Sequence, residues 1–146
     1  MTDDQDVLAR LRAINQTAAF NRWCGLEVQS ASAGLVELAM PWRAEFGQYS
    51  GFLHAGLIGA LIDTACGTAA VTVAGGGVLA AQYSVNCLRP AKGDHFIARA
   101  RVVKAARINA PSHMSAGARM KSLVRTWGST DMPGPSDIAG STGSSK

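Results

Sequence analysis

Residues 51–70, Gly-Phe-Leu-His-Ala-Gly-Leu-Ile-Gly-Ala-Leu-Ile-Asp-Thr-Ala-Cys-Gly-Thr-Ala-Ala, decide how the rest of this chain is read. From Ala55 to Val73 the only charge is Asp63, and apolar residues occupy every face of a 3.6-residue period. The length permits a membrane span. Asp63 near the middle opposes one, since a carboxylate there costs about 2.5–3.5 kcal/mol on insertion scales, and Gly56, Gly59 and Gly67 dilute the hydrophobicity. A helix over about His54–Val73, apolar all round and stopped by Gly75-Gly76-Gly77, reads as the buried centre of a soluble domain.

Outward from that helix the chain is patterned for strands. Upstream, Leu26–Val28 and Leu35–Met40 flank the small-residue turn Ser30–Gly34 and predict a hairpin. Before it, Asp4 or Asp6 can cap a short amphipathic helix carrying Val7, Leu8, Leu11, Ile14 and Ala18, with Arg10, Arg12 and Asn15 off its apolar face. Trp42–Leu53 has neither period and reads as a loop. Downstream, Leu79–Leu88 alternates and predicts a long strand closed by Pro90; Asp94–Arg107 alternates again and predicts a half-exposed antiparallel strand. A sheet wrapped around one long central helix is the economical way to bury that helix, so the fold class is α+β.

The pattern fails after 107. Of the 39 residues from 108 onward, 19 are Gly, Ser, Pro or Thr. The chain divides into a core over 1–107, an atypical segment over 108–129 and a tail over 130–146 expected to be disordered. A sheet ending with the 94–107 strand has an open edge, and the sequence does not visibly supply the strand to close it.

Composition narrows the function classes. The chain has 146 residues, 47% of them apolar, enough for one domain with an ordinary core. A net charge of +4 with Lys and Arg dispersed gives no basic stripe, so nucleic acid is not an expected partner. Cys24, Cys66 and Cys87 lack metal-ligand spacing and the N-terminus is acidic, which fits a reducing cytoplasm, no metal and no membrane.

Chemistry concentrates around the helix. Asp63 is the only Asp, Glu, Lys or Arg between Glu45 and Arg89. It is either a structural carboxylate, bonded to backbone or to Thr64 or Thr68, or an active-site group. The polar loop Gln48–Gly56 runs onto the helix start, whose unpaired amides suit a developing oxyanion, Ala55 or Gly56 being the natural donor. Gln48 can orient a water or a carbonyl, or be solvated. His54 and Asp63 are nine residues apart, about 13 Å of helix, and Ala55 and Asp63 about 12 Å, so neither pair meets within one chain. If Ala55 and Asp63 act on one carbonyl they come from two chains with antiparallel helices, in a homodimer or dimer of dimers with shared sites. His54 is expected to bond backbone in the loop.

These residues, GFLHAGLIGALIDTACGTAA with Gln48 ahead of them, resemble the signature of PaaI-like hotdog thioesterases, in which a loop Asn or Gln precedes His-Gly-Gly and an Asp or Glu follows on the helix. YSVNCLRPAKGD resembles the strand of that family that ends in proline and a short basic turn, and the resemblance covers about residues 20–107. It implies a hotdog fold and hydrolysis of a small aryl- or medium-chain acyl-CoA, with coenzyme A entering as part of the substrate and no cofactor. In that reading Asp63 is base or nucleophile, Gln48 holds the lytic water, the Ala55 amide polarises the thioester oxygen and Gly56 allows close approach. Arg89 and Lys92 meet the coenzyme phosphates, while His54, Leu57, Leu61 and Tyr83 contact the substrate. Ala55 departs from the family's first glycine, and the family's last two strands are not recognisable after Arg107. A non-catalytic acyl-CoA-binding protein and a hotdog hydratase or dehydratase using His54 are the alternative readings, since the fold alone does not fix the function.

Overall fold

The computed structural model describes residues 3–74, 77–80, 82–108 and 115–127. Along the chain lie α1 (Asp3–Asn15), α2 (Ala19–Cys24), β1 (Glu27–Ser32), β2 (Leu35–Pro41), a 3-10 turn at Ala44–Phe46, α3 (Ala55–Ala74), β3 (His95–Ile108) and β4 (Ser115–Trp127). The four strands form one antiparallel sheet in the order β1-β2-β3-β4, and α3 packs across β2, β3 and β4. The expected α+β class, an antiparallel sheet with one long helix, is the class observed.

Strand alternation builds the core. On β2, Val36, Leu38 and Met40 share one face, and their partners on β3 are Ala100, Ala98 and Phe96. Against this surface α3 sets Leu61, Ala65 and Ala69, one residue per turn. The two alanines keep the helix close to the sheet, while Leu38, Leu61 and Phe96, each 0% exposed, contribute about 1.5–3 kcal/mol apiece. β2 is buried continuously from Val36 to Met40, and its one charged member, Glu37, forms an ion pair with Arg99 directly opposite on β3. Thr72 ties the far end of α3 to the hairpin, its hydroxyl accepting from the Gly34 amide at 2.7 Å while donating to the Ala69 carbonyl.

The N-terminal segment is held by polar contacts as well as apolar ones. Leu11 is buried, with Val7 and Leu8 packed against the core, whereas Ile14 is half-exposed. Asn15, assigned by spacing to the polar face of α1, is instead buried. Its Nδ2 donates to the Leu26 carbonyl at 2.6 Å and its Oδ1 accepts from Asn21 at 2.9 Å, so the turn after α1 is fastened to the entry of β1. Ala18 lies beyond α1, at the start of α2. Gly25 ends α2 with φ 67°, and a Cβ there would stand 3.1 Å from the Pro41 ring, so both the turn and the space call for glycine.

Three expectations are corrected. Leu79–Leu88 is not a strand: none of its described residues pairs with the sheet, and Leu79 and Leu88 are 96% and 90% exposed. Alternation prepares a chain for pairing, but a strand needs an edge, and none is joined to this segment among the described residues. β4, in turn, forms where no strand was legible; its thirteen residues pair along the whole of β3, from His95↔Trp127 to Ile108↔Ser115. Finally, α3 is long and apolar enough to span a membrane but is not enclosed on every side. Gly59, Leu61, Ala65, Ala69 and Ala70 are buried and the rest half-buried or exposed, because the sheet covers one side only. Helix α3 stops at Ala74; Gly75 and Gly76, and the tail over 130–146, lie outside the described residues.

Candidate active site

The start of α3 is constructed from the loop that precedes it. Gly47 and Leu53 bridge, the Gln48 amide donates to the Phe52 carbonyl at 2.8 Å, and the Gly51 amide donates to the Gln48 carbonyl at 2.9 Å across a turn that Gly51 enters with φ 77°. The His54 amide donates to the Phe46 carbonyl at 2.9 Å, fixing the residue that opens the helix. From there His54 acts as a cap with both of its acceptors. Its carbonyl receives the Leu57 and Ile58 amides, and its Nδ1 receives the Gly56 amide at 2.9 Å. A side chain at position 56 would crowd that ring, because a Cβ there would lie 3.0 Å from Nδ1.

This capping divides the two candidate donors. The Gly56 amide is occupied by the imidazole, whereas the Ala55 amide, at the first helical position, has no acceptor among the described residues. No described non-glycine residue has a positive φ, so Ala55 keeps an ordinary helical backbone despite its methyl. Gln48, half-buried, uses its side-chain oxygen to accept from the Ser50 amide, which leaves its Nε2 donors for another partner. The loop therefore presents donors, the chemistry that polarises a carbonyl oxygen or holds a water.

Asp63 stands two turns further along α3, half-buried. Thr64 and Thr68, the hydroxyls that a purely structural carboxylate would use, donate instead to the carbonyls of Ala60 and Thr64, at 2.8 and 2.7 Å. Among the described residues no hydrogen bond or ion pair engages the carboxylate. Its charge is felt one turn on: burial first, and then the Asp63 carboxylate, push the Cys66 thiol above its ordinary range. The unbroken helix keeps Ala55 and Asp63 about 12 Å apart along the axis. A single chain does not bring them together.

The remaining candidates fall into two groups. Arg89 and Lys92 are exposed, and they flank Ala91, which is buried and whose carbonyl accepts from the Leu53 amide at 2.9 Å. Both positive charges are thus anchored beside the loop that starts α3. Leu57 is half-buried against the core, but Leu61 is sealed inside it and presents no surface to a ligand. Tyr83 is 58% exposed and rests the head of its ring on Gly59. The His54 ring bonds backbone as expected, and the amide it takes is that of Gly56 at the helix start rather than one within the loop; a polar side chain two residues ahead of an early helical amide is the spacing a cap uses. Among the described residues no three of His, Cys, Asp and Glu gather as a metal-binding group.

An antiparallel sheet across one long helix, with donors at the helix start and a lone carboxylate midway along it, defines a hotdog-fold protein. Residues 50–109, the loop, α3 and β3, match the family model of the thioesterase superfamily. No curated protein matches. Among solved structures, the chain resembles a thioesterase family protein from Silicibacter pomeroyi at 27% identity, covering 81% of this chain and 96% of that one with a TM-score of 0.61. The E. coli PaaI protein, from the phenylacetic acid degradation operon, shares the fold at 19% identity and a TM-score of 0.63, with 86% and 99% covered. Zebrafish thioesterase superfamily member 2 does so at 22% identity and a TM-score of 0.61, with 84% and 99% covered. The hotdog fold expected from the resemblance is borne out, and the thioesterase superfamily model matches the stretch that carries the loop, α3 and β3.

Proposed function

We propose that this protein is a cytoplasmic acyl-CoA thioesterase acting on a small aryl- or medium-chain acyl group without metal or cofactor. Asp63 takes a proton from water as the oxygen attacks the thioester carbon. The Ala55 amide receives the charge that develops on the carbonyl oxygen, and Gln48 orients the water or the carbonyl. The tetrahedral intermediate collapses by expelling the coenzyme thiolate, which recovers the proton. Arg89 and Lys92 attract the coenzyme phosphates at the neck of the loop, as charge-assisted contacts do. One observation carries the reading: Asp63 is a half-buried carboxylate with no partner among the described residues, while the neighbouring hydroxyls are turned to the backbone. An unpaired carboxylate on an apolar helix is costly to keep for structure alone. Because Ala55 and Asp63 of one chain lie too far apart, the reading includes a homodimer or dimer of dimers with antiparallel α3 helices, each site taking Ala55 and Gln48 from one subunit and Asp63 from the other. Three free cysteines suit the reducing compartment.

Release of free coenzyme A from benzoyl, phenylacetyl and straight-chain CoA esters, run beside Asp63→Ala, tests this. Turnover lost in the folded variant supports it, and turnover retained overturns the role of Asp63. A second reading, a non-catalytic acyl-CoA-binding protein, is favoured by the Leu79–Leu88 segment, whose described residues pair with no strand and add none beside α3. Acyl-CoA binding without turnover is its signature. His54, with Nδ1 engaged in the helix cap, is poorly placed as the catalytic base of a hydratase.

A further inference from the structure

The start of α3 is reached through three hydrogen bonds in series, each 2.9 Å long. The Phe46 amide donates to the Arg43 carbonyl, the His54 amide to the Phe46 carbonyl, and the Gly56 amide to His54 Nδ1. Each link places the next. Phe46 sets the backbone of His54, and His54 decides that Gly56 is the amide taken and Ala55 the one left. The free donor of the candidate site is therefore located from Arg43, well upstream of the helix.

The side chain of Arg43 grips the same residue a second time. Its guanidinium carbon lies 4.3 Å from the centre of the Phe46 ring and 5.4 Å from that of Trp23, and its Nη2 donates to the Trp23 carbonyl. The two rings meet edge-on with centres 5.4 Å apart. A cation over a ring face is attracted by the ring's quadrupole, most strongly where water is excluded, and Phe46 is fully buried. Trp23 belongs to α2, which Asn21 ties through Asn15 to the Leu26 carbonyl, so the cation clamps the loop to a helix fastened at the entry of β1. One detail separates this clamp from ordinary packing: Arg43 Nε is buried with no hydrogen-bond partner among the described residues. A methionine of similar length would fill the place without that cost. What the arginine adds is the orientation that a planar cation imposes on the rings beside it.

We propose that Arg43 is a positioning residue for the carbonyl site: by holding Phe46 it holds His54, and through His54 it keeps the Ala55 amide free for the thioester oxygen, a role that rests on the thioesterase reading above. Arg43 makes and breaks no bond in the reaction. Without its cation Phe46 can turn, the His54 backbone follows and the imidazole leaves Gly56, which displaces the donor while Asp63, Arg89 and Lys92 stay on their own segments. The loss falls on kcat, because the donor acts on charge that develops only in the transition state and small misplacements of such a group are costly.

The test is steady-state hydrolysis of phenylacetyl-CoA, benzoyl-CoA and hexanoyl-CoA by the full-length protein, Arg43→Lys, Arg43→Met, His54→Ala and the Arg43→Met, His54→Ala double variant. Thermal unfolding is recorded for each, and deuterium exchange at residues 54–58 is followed in the parent and in Arg43→Met. The expected result is a fall of about tenfold in kcat for Arg43→Met with KM changed less than about threefold, partly recovered in Arg43→Lys, which keeps a cation beside Phe46. Because the two residues act in series, the double variant should be no slower than the slower single one, and residues 54–58 should exchange faster in Arg43→Met while Val36–Met40 does not. Losses that multiply in the double variant, or a kcat equal to the parent's whatever happens to the Tm, make Arg43 a packing residue and overturn the proposal. A parent inactive on all three esters removes the thioesterase reading, and exchange then decides alone: faster exchange at 54–58 in Arg43→Met supports the positioning of the α3 start, and unchanged exchange overturns it as well.

Discussion

On the side of α3 that meets the sheet, Leu61, Ala65 and Ala69 are sealed in the core with residues of β2 and β3; elsewhere on the helix Gly59 lies under the Tyr83 ring and Asp63 stands half-buried without a hydrogen bond among the described residues. Both faces are made mostly of small or apolar residues, yet the first is sealed and the second carries the one charge of the helix. The difference lies in what packs on each. Complementary strand faces turn the first into core, whereas the second keeps room for a carboxylate whose neighbours offer it no hydrogen bond. Apolarity all round therefore identifies a helix that is central to the fold without showing which side is used for chemistry.

That comparison can be broken at several points. Asp63→Asn should reduce thioester hydrolysis by about 10²–10⁴-fold, the range for a general base, with the thermal unfolding curve little changed; a parallel loss of stability would mean the face is structural after all. Leu61→Ala, on the sealed face, should do the opposite and cost about 2–5 kcal/mol in denaturant unfolding, as a leucine cavity does. His54→Ala removes the cap on the Gly56 amide and should cost about 1 kcal/mol, with His54→Asn recovering part of it by supplying another acceptor. The smallest effect is on reactivity. Burial, and then Asp63, raise the Cys66 thiol, so Asp63→Asn removes the second cause, lowers that pKa and increases the thiolate fraction at a given pH. Iodoacetamide should label Cys66 faster in that variant than in the parent, with exposed Cys87 labelled equally in both.

The sequence made α3 legible because twenty residues with one charge leave few alternatives, and it made the β1–β2 hairpin and β3 legible through their alternation. β4 was not, since Ser115–Trp127 mixes Gly, Ser, Ala, Arg and Lys, and the ladder to β3 is made by backbone groups that those residues possess as fully as valine does. Leu79–Leu88 was misread for the converse reason: its period of two is plain, but pairing depends on an available edge elsewhere in the chain. At the site, Gln48, Ala55 and Asp63 were found from charge sparsity and helix-end chemistry. The division of labour between the Ala55 and Gly56 amides was hidden, because it depends on the rotamer of one histidine.

The bond from the Leu53 amide to the Ala91 carbonyl has a mechanical consequence. Because β2 and β3 are neighbours in the sheet, everything between those two residues is an excursion that leaves and rejoins the sheet at nearly the same place, and this bond pinches its neck. The helix, the carboxylate and the tyrosine all ride on the excursion, which is held at the neck by this bond, along α3 by Leu61, Ala65 and Ala69 in the core, and at the far end by Thr72. Amides of β2 should then outlast those of the first turn of α3 in deuterium exchange, and anything that grips Arg89 and Lys92 would tighten the neck from outside.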